Sequence, residues 1–259
     1  MIPAASRRPV LEGVETAYPW RSRAFDLTLT LLILPVAIPA ALVVACAVLL
    51  DSNGPVLYRS TRVGRDARRF SMLKFRTMRW GAHGPSVSRE GDDRYTPIGR
   101  LLAAMRLDEL PQLWNVLRGD MRLVGPRPEL EQFVLEQGDA YRRVLAVPPG
   151  VTGPTQLAFA DEGRRLALAD DPELTYRDEL LPQKVRLDMA YAAGASPMAD
   201  VEAIARTWLV PGRQLAIAVD RSRAAGSGGS ARALARAGTL AIGAAAMLVM
   251  FVVEGGAAL

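Results

Sequence analysis

Asp108 and Glu109 are adjacent carboxylates at the head of the stretch LDELPQLWNVLRGDMRLVGPRPEL, residues 107–130. In a helix, neighbouring side chains point about 100° apart, so two such acids can share a site without doing the same job. Pro111 follows the pair, and the stretch closes on Gly125-Pro126-Arg127-Pro128, a stiff turn carrying one arginine. Proline fixes φ and glycine permits unusual φ, so both ends are built to hold side chains still. The competing reading is a solvated helix start, where acids are favoured by the helix dipole.

Cations accompany the acids. Residues 55–62 and 70–78 alternate in the manner of strands, which predicts a hairpin turning at Gly64-Arg65-Asp66. On its second strand Lys74 and Arg76 fall two apart, on one face. Either could hold a phosphate. A basic surface against anionic lipid headgroups is the alternative, and the two are compatible. Thr96-Pro97 predicts a helix start, running through Arg100 to Met105, with Arg106 just before the acids.

The elements that position these groups include an apolar anchor. Residues 27–50 carry no charge. As a straight helix they would span about 36 Å, against a hydrocarbon core of about 30 Å. Pro35 and Pro39 remove backbone donors near the middle and predict a kink. Arginines flank both ends, Arg21 and Arg23 before and Arg59, Arg62 and Arg65 after, and the positive-inside rule wants both flanks in the cytoplasm. A helix that enters, bends at proline and returns satisfies both facts; a spanning helix is the alternative. A second uncharged run, residues 237–253, would be about 26 Å long, marginal for spanning. Residues 1–20 read as a disordered tail, and 215–236, with a Gly/Ser stretch, as a linker.

Composition narrows the class. The chain has 259 residues, 50% of them hydrophobic, and a net charge of +5, which favours a membrane-surface or nucleic-acid partner. No nucleic-acid-binding motif is recognisable and aromatics for stacking are few, which argues against nucleic acid. The single cysteine, Cys46, excludes an intramolecular disulfide, and the single histidine, His83, has no second histidine or cysteine nearby with which to hold a metal. Residues 131–147 predict one helix, 148–153 a rigid loop, and 171–206 further helices.

DELPQLWNVLRGDM followed by LVGPRP resembles the signature of the bacterial sugar transferase family, the monotopic polyprenyl-phosphate sugar-1-phosphate transferases. RVGRDARRFSMLKFRTM and PPGVTGPTQ continue the match, which covers residues 21–212. The resemblance implies an α+β, predominantly α fold. It has an N-terminal re-entrant membrane helix with its turn (21–54), a small β-hairpin, interfacial helices and a cytoplasmic catalytic domain (55–214). Residues 237–259 would add a C-terminal hydrophobic helix and tail. The implied reaction moves a sugar-1-phosphate from a nucleotide sugar, UDP being the usual carrier, to membrane polyprenyl (undecaprenyl) phosphate at the bacterial inner membrane. It is the first membrane step of polysaccharide or glycoconjugate assembly.

By the same resemblance Asp108 attacks the β-phosphorus and forms an aspartyl-phosphosugar. Glu109 orients or activates the acceptor, or helps hold the metal. Mg²⁺ is the implied cofactor, with Asp108 its protein ligand. Lys74, Arg76, Arg100, Arg106 and Arg127 are the candidate substrate-binding cations. The family's helix-breaking Ser-Pro pair is Ile38-Pro39 here, and the family arginine five residues before the acidic pair is Ala103. Ala103 gives weight to a catalytically inactive membrane adaptor binding anionic lipid. A glycosyltransferase that moves the sugar alone is a further alternative; it would release a nucleoside diphosphate. The identity of the sugar and the oligomeric state, a homodimer included, stay open.

Overall fold

A computed structural model describes residues 20–194, 200–204 and 206–207. It is mostly helical, with two small two-stranded sheets, as the α+β, predominantly α expectation had it. The expected N-terminal tail (all but Trp20), the linker and the C-terminal apolar helix lie outside the described residues.

Helix α1 (Trp20–Asp51) continues through Pro35 and Pro39. One side of it is uncovered: Leu31, Ile38, Leu42 and Val43 are each more than half exposed. Its two ends are held by the rest of the chain. Near the start, Arg23 donates to the carbonyls of Val116 and Leu117, at 2.5 and 2.9 Å. The buried Asp26 carboxylate accepts the Leu123 backbone N–H at 3.2 Å. Leu29 packs with Met72, Val116 and Met121. Near the finish, Val44 and Val48 pack with Phe75 and Leu102. The Arg76 guanidinium donates to Ser52 O at 2.8 Å and Ser52 Oγ at 2.6 Å.

The hairpin pairs β1 (Leu57–Val63) with β2 (Arg69–Phe75), antiparallel. Its left-handed residues are Asp66 and Ala67, at φ 57° and 56°, rather than a glycine. Helix α2 (Pro97–Ala104) starts as the sequence predicts: Thr96 Oγ1 accepts the Gly99 N–H at 2.9 Å. The acids follow in a 3₁₀ turn, Leu107–Glu109, and α3 (Gln112–Arg118) ends at Gly119, whose φ of 88° suits a residue without Cβ.

Strands β3 (Arg122–Val124) and β4 (Gly150–Thr152) pair in parallel. This sheet was not expected from the sequence, where 148–153 read only as a loop. A Cβ on Gly150 would stand 2.0 Å from the Gly125 nitrogen, so two glycines allow the backbones to close on each other. The helix expected over 131–147 is divided into α4 (Glu131–Gln137) and α5 (Asp139–Val144) at Gly138, φ 51°. Helices α6 (Pro154–Ala158) and α7 (Glu162–Ala167) follow, both unforeseen. Then α8 (Pro172–Thr175), a π turn and α9 (Leu181–Gly194) realise the predicted helical region. The largest core cluster gathers Phe133, Leu166, Tyr176 and Leu181 from this half.

Candidate active site

The acidic pair is buried: Asp108 is 7% exposed and Glu109 9%. A solvated helix start is therefore excluded. Arg106, left-handed at φ 55°, turns the chain out of α2 and into the 3₁₀ turn that carries both carboxyls. Lys74 reaches them from the end of β2. Its Nζ stands 2.9 Å from Glu109 Oε1 and 3.8 Å from Asp108 Oδ2. Arg106 and Arg127 each approach Glu109 to 3.9 Å.

These contacts divide the two acids. Burial opposes ionisation of both. For Glu109 the three cations outweigh it and hold the carboxyl well below the usual carboxylate range. For Asp108 burial wins over Lys74, the neighbouring Glu109 charge adds to it, and the carboxyl is pushed up to about 6. Adjacent carboxylates with separated acidities suit separate roles. Glu109 is a fixed anion in a cationic cradle, whereas Asp108 lies farther from Lys74 and is the more basic of the two.

The pair faces a polar cavity of about 230 Å³ whose lining includes Lys74, Arg106, Arg127, Gln156 and Lys184. Lys74, Arg106 and Arg127 are thus brought together beside the pair. Arg76 and Arg100 are not. Strand β2 ends at Phe75, so strand alternation does not carry on to Arg76. Its buried guanidinium instead bonds Ser52 and Pro55 O, the latter at 2.7 Å. Arg76 ties the end of α1 to the hairpin. Arg100 is exposed on α2, away from the cavity lining.

Residues that sequence reasoning passed over complete the wall. Lys184 from α9 bonds Glu162 Oε2 at 2.9 Å and the Tyr176 hydroxyl at 2.9 Å. That hydroxyl donates to Glu129 at 2.6 Å. Lys184 lies in the 171–206 run, which the sequence showed only as helices. Gln156, 5% exposed, follows Thr155, whose hydroxyl contacts Gln156 Oε1 and Asp188 Oδ1, both at 3.1 Å. Among the described residues Gln156 Nε2 has no hydrogen-bond partner. A buried amide donor left without an acceptor in a cavity wall is a place where a ligand oxygen belongs. Gln156 closes the PPGVTGPTQ stretch, so the signal was present, but without geometry the glutamine had no visible task.

A metal can be assessed from the same donor set. Among the described residues no cluster of three or more His, Cys, Asp or Glu side chains could hold one. Mg²⁺ commonly takes one or two carboxylates and completes its shell with water and substrate phosphates, which Asp108 could serve. The cavity lining has four cations against three carboxylates, short of the positive charge a bound diphosphate would need. The residues present fit Mg²⁺ on that basis.

The family model for bacterial sugar transferases matches residues 17–213, and the chain belongs to that family. Its relatives are undecaprenyl-phosphate sugar phosphotransferases. It is 37% identical over 192 residues to the UDP-glucose:undecaprenyl-phosphate glucose-1-phosphate transferase of Caulobacter vibrioides, covering 72% of this chain and 68% of that protein. It is 39% identical over 191 residues to the undecaprenyl-phosphate glucose phosphotransferase of Komagataeibacter xylinus, covering 70% of this chain and 34% of that protein. A third relative is the UDP-N-acetylgalactosamine-undecaprenyl-phosphate N-acetylgalactosaminephosphotransferase of Aeromonas hydrophila. It is 38% identical over 160 residues, covering 57% of this chain and 37% of that protein. The match thus spans about two thirds of the first relative and about a third of the other two.

Proposed function

We propose that this chain transfers a sugar-1-phosphate from a UDP-sugar to undecaprenyl phosphate through an aspartyl-phosphosugar intermediate. The observation that carries the reading is the unequal acidic pair, Asp108 and Glu109, set among Lys74, Arg106 and Arg127 on one wall of a polar cavity. The relatives' names supply the substrate class.

Phosphoryl transfer needs in-line geometry and neutralised charge. Lys74, Arg106 and Arg127 would hold the diphosphate. Mg²⁺, held by Asp108 and the substrate phosphates, would supply further neutralisation. An Asp108 Oδ atom attacks the β-phosphorus; the new O–P bond forms as the bond to the bridging oxygen breaks, and UMP leaves with that oxygen. An oxygen of the acceptor phosphate then attacks the same phosphorus, releasing the Asp108 carboxylate and forming polyprenyl-diphosphate sugar. Glu109, kept ionised by its three cations, keeps Lys74 and the arginines aimed at the reacting phosphates.

The re-entrant topology belongs to the same reading. Both ends of α1 are hydrogen-bonded to one catalytic domain, through Arg23 and Asp26 at the start and Ser52 at the finish, while the middle presents bare hydrocarbon. A helix whose two ends grip one domain is best served by dipping into a single leaflet, with that domain at the cytoplasmic face of the inner membrane. The acceptor phosphate then lies at the height of the site.

The test is a panel of labelled UDP-sugars with undecaprenyl phosphate and Mg²⁺. Release of UMP with label moved to lipid supports the assignment. Release of UDP would identify a transferase of the sugar alone, and the absence of turnover with every sugar would leave a lipid-binding adaptor. Cysteines placed at the exposed positions Ala24 and Asn53, with Cys46 replaced, test the topology. Both should label from the cytoplasm, and periplasmic labelling of either would defeat the re-entrant form.

A further inference from the structure

We propose that an apolar pocket beside the acidic pair receives the first isoprene units of the acceptor lipid, with Arg106, which holds the donor diphosphate in the first half-reaction, at its mouth to meet the acceptor phosphate in the second. The inference rests on the reading that the acceptor is a polyprenyl phosphate. The pocket, about 110 Å³, lies between the first half of α1 and the catalytic domain. Leu29 and Ile33 of α1 contribute to its lining, as do Leu107, Leu110 and Leu113 from the segment carrying the acids. Among the described residues its polar lining is Arg106, Glu109 and two threonines.

Arg106 and Glu109 also line the polar cavity. Two compartments of opposite character therefore meet at the same two residues. A diphosphate has nothing to gain in the apolar one, and a hydrocarbon chain has nothing to gain in the cationic one. The transfer joins two such ligands at one phosphorus, and the junction is where their phosphates must meet. The pocket's α1 wall also leads toward lipid: Leu32 and Val36, next along that helix, are 46% and 39% exposed. In this proposal the polyprenyl chain follows these exposed residues of α1 from the bilayer into the pocket. Two lining residues shared with the reactive cavity, one cation at that junction and an α1 wall that leads on to exposed apolar residues select this occupant over an apolar stretch of protein.

Ile33 and Leu113 are only partly buried, so each can be enlarged with little core strain. With full-length protein in lipid nanodiscs, Ile33→Trp and Leu113→Trp should each raise the KM for undecaprenyl phosphate by about tenfold. The KM for the UDP-sugar that the wild type turns over should stay within about twofold, as that ligand sits in the other compartment. In wild type, a benzophenone-bearing short polyprenyl phosphate should label peptides containing Ile33 or Leu113, and undecaprenyl phosphate should compete it away. An unchanged acceptor KM in both variants, donor and acceptor KM rising together, or labelling confined to other peptides overturns the subsite. The labelling arm decides the matter even if both tryptophan variants fail to fold. Wild-type turnover on undecaprenyl phosphate reports separately on the enzymatic reading, so that reading can stand while the subsite falls.

Discussion

The Lys74 ammonium stands 2.9 Å from the Glu109 carboxylate and 3.8 Å from that of its neighbour, Asp108. One cation thus serves two adjacent acids unequally. It holds Glu109 as a permanent anion and still restrains the rise in Asp108 that burial causes. Lys74→Met removes that restraint from both. We expect kcat/KM to fall by about a hundredfold, as for other charge-stabilising groups. The acid limb of the pH profile should also move. On the proposed mechanism Asp108 attacks as the carboxylate, so wild-type activity should decline as pH falls through about 6. Without Lys74 the carboxylate is harder to form and the limb shifts to higher pH. A pH series of kcat/KM on both proteins checks this, and a limb shifted to lower pH would contradict it.

Asp108→Asn should give an inactive but more stable protein. The carboxyl is raised from 3.8 to about 6, so the folded state binds this proton more tightly than the unfolded chain. The corresponding stability is present below about pH 4 and is lost as pH rises through about 6. At pH 7.5 the wild type carries a buried charge that asparagine removes, worth roughly 1–3 kcal/mol. Thermal unfolding should show a higher Tm for the variant at pH 7.5 and a difference that closes near pH 4. Given labelled UDP-sugar and Mg²⁺ without acceptor, wild type should release UMP about once per site and retain phosphosugar, while the variant retains none. Equal retention by the variant would remove Asp108 as the nucleophile.

These two residues show what was readable in one dimension. Asp108, Glu109 and Arg127 lie within one short stretch fixed by proline and glycine, so their meeting needs little tertiary information. Lys74 was legible because strand alternation still holds at that position. Arg76 lies apart from this group because β2 ends at Phe75, one residue earlier, and no local signal marks that stop. Lys184 and Gln156 come from α9 and α6, and their approach depends on how those short helices pack. The β3–β4 pair was hidden for a related reason. Three-residue strands have no periodicity to detect, and their pairing depends on the close approach of Gly125 and Gly150. The break at Gly138 was in plain view as a glycine within a helical run.

Gln156 gives a prediction that a packing residue would not. Its side-chain nitrogen is buried in the cavity wall, with no acceptor among the described residues. If a donor-substrate oxygen completes it, Gln156→Ala should raise the donor KM by about tenfold with kcat nearly unchanged. Gln156→Glu keeps the shape and adds an anion beside the phosphates, so its donor KM should rise further. Comparing UMP with the intact UDP-sugar as inhibitors would show which part of the substrate supplies the oxygen. Unaltered kinetics in both variants would return Gln156 to the core.

Ala103 and Arg106 can be tested as a pair. Both line the polar cavity, but Ala103 offers no charge where the family has its arginine. Arg106, three residues on, is placed by its left-handed backbone so that one guanidinium nitrogen lies 3.9 Å from Glu109, while another donates to the Gln156 carbonyl at 3.2 Å. The cation is therefore supplied from the following turn. Arg106→Ala should raise the donor KM by about ten- to a hundredfold, the loss expected for one charge-assisted phosphate contact. Ala103→Arg on that background should recover much of it, since the new guanidinium springs from the same wall. Ala103→Arg alone should bring little gain, because Arg106 already holds the space and two like charges would compete for Glu109. Initial rates over a range of UDP-sugar concentrations for the four proteins complete the cycle. Independent, additive effects of the two substitutions would show that Arg106 does not stand in for the missing arginine.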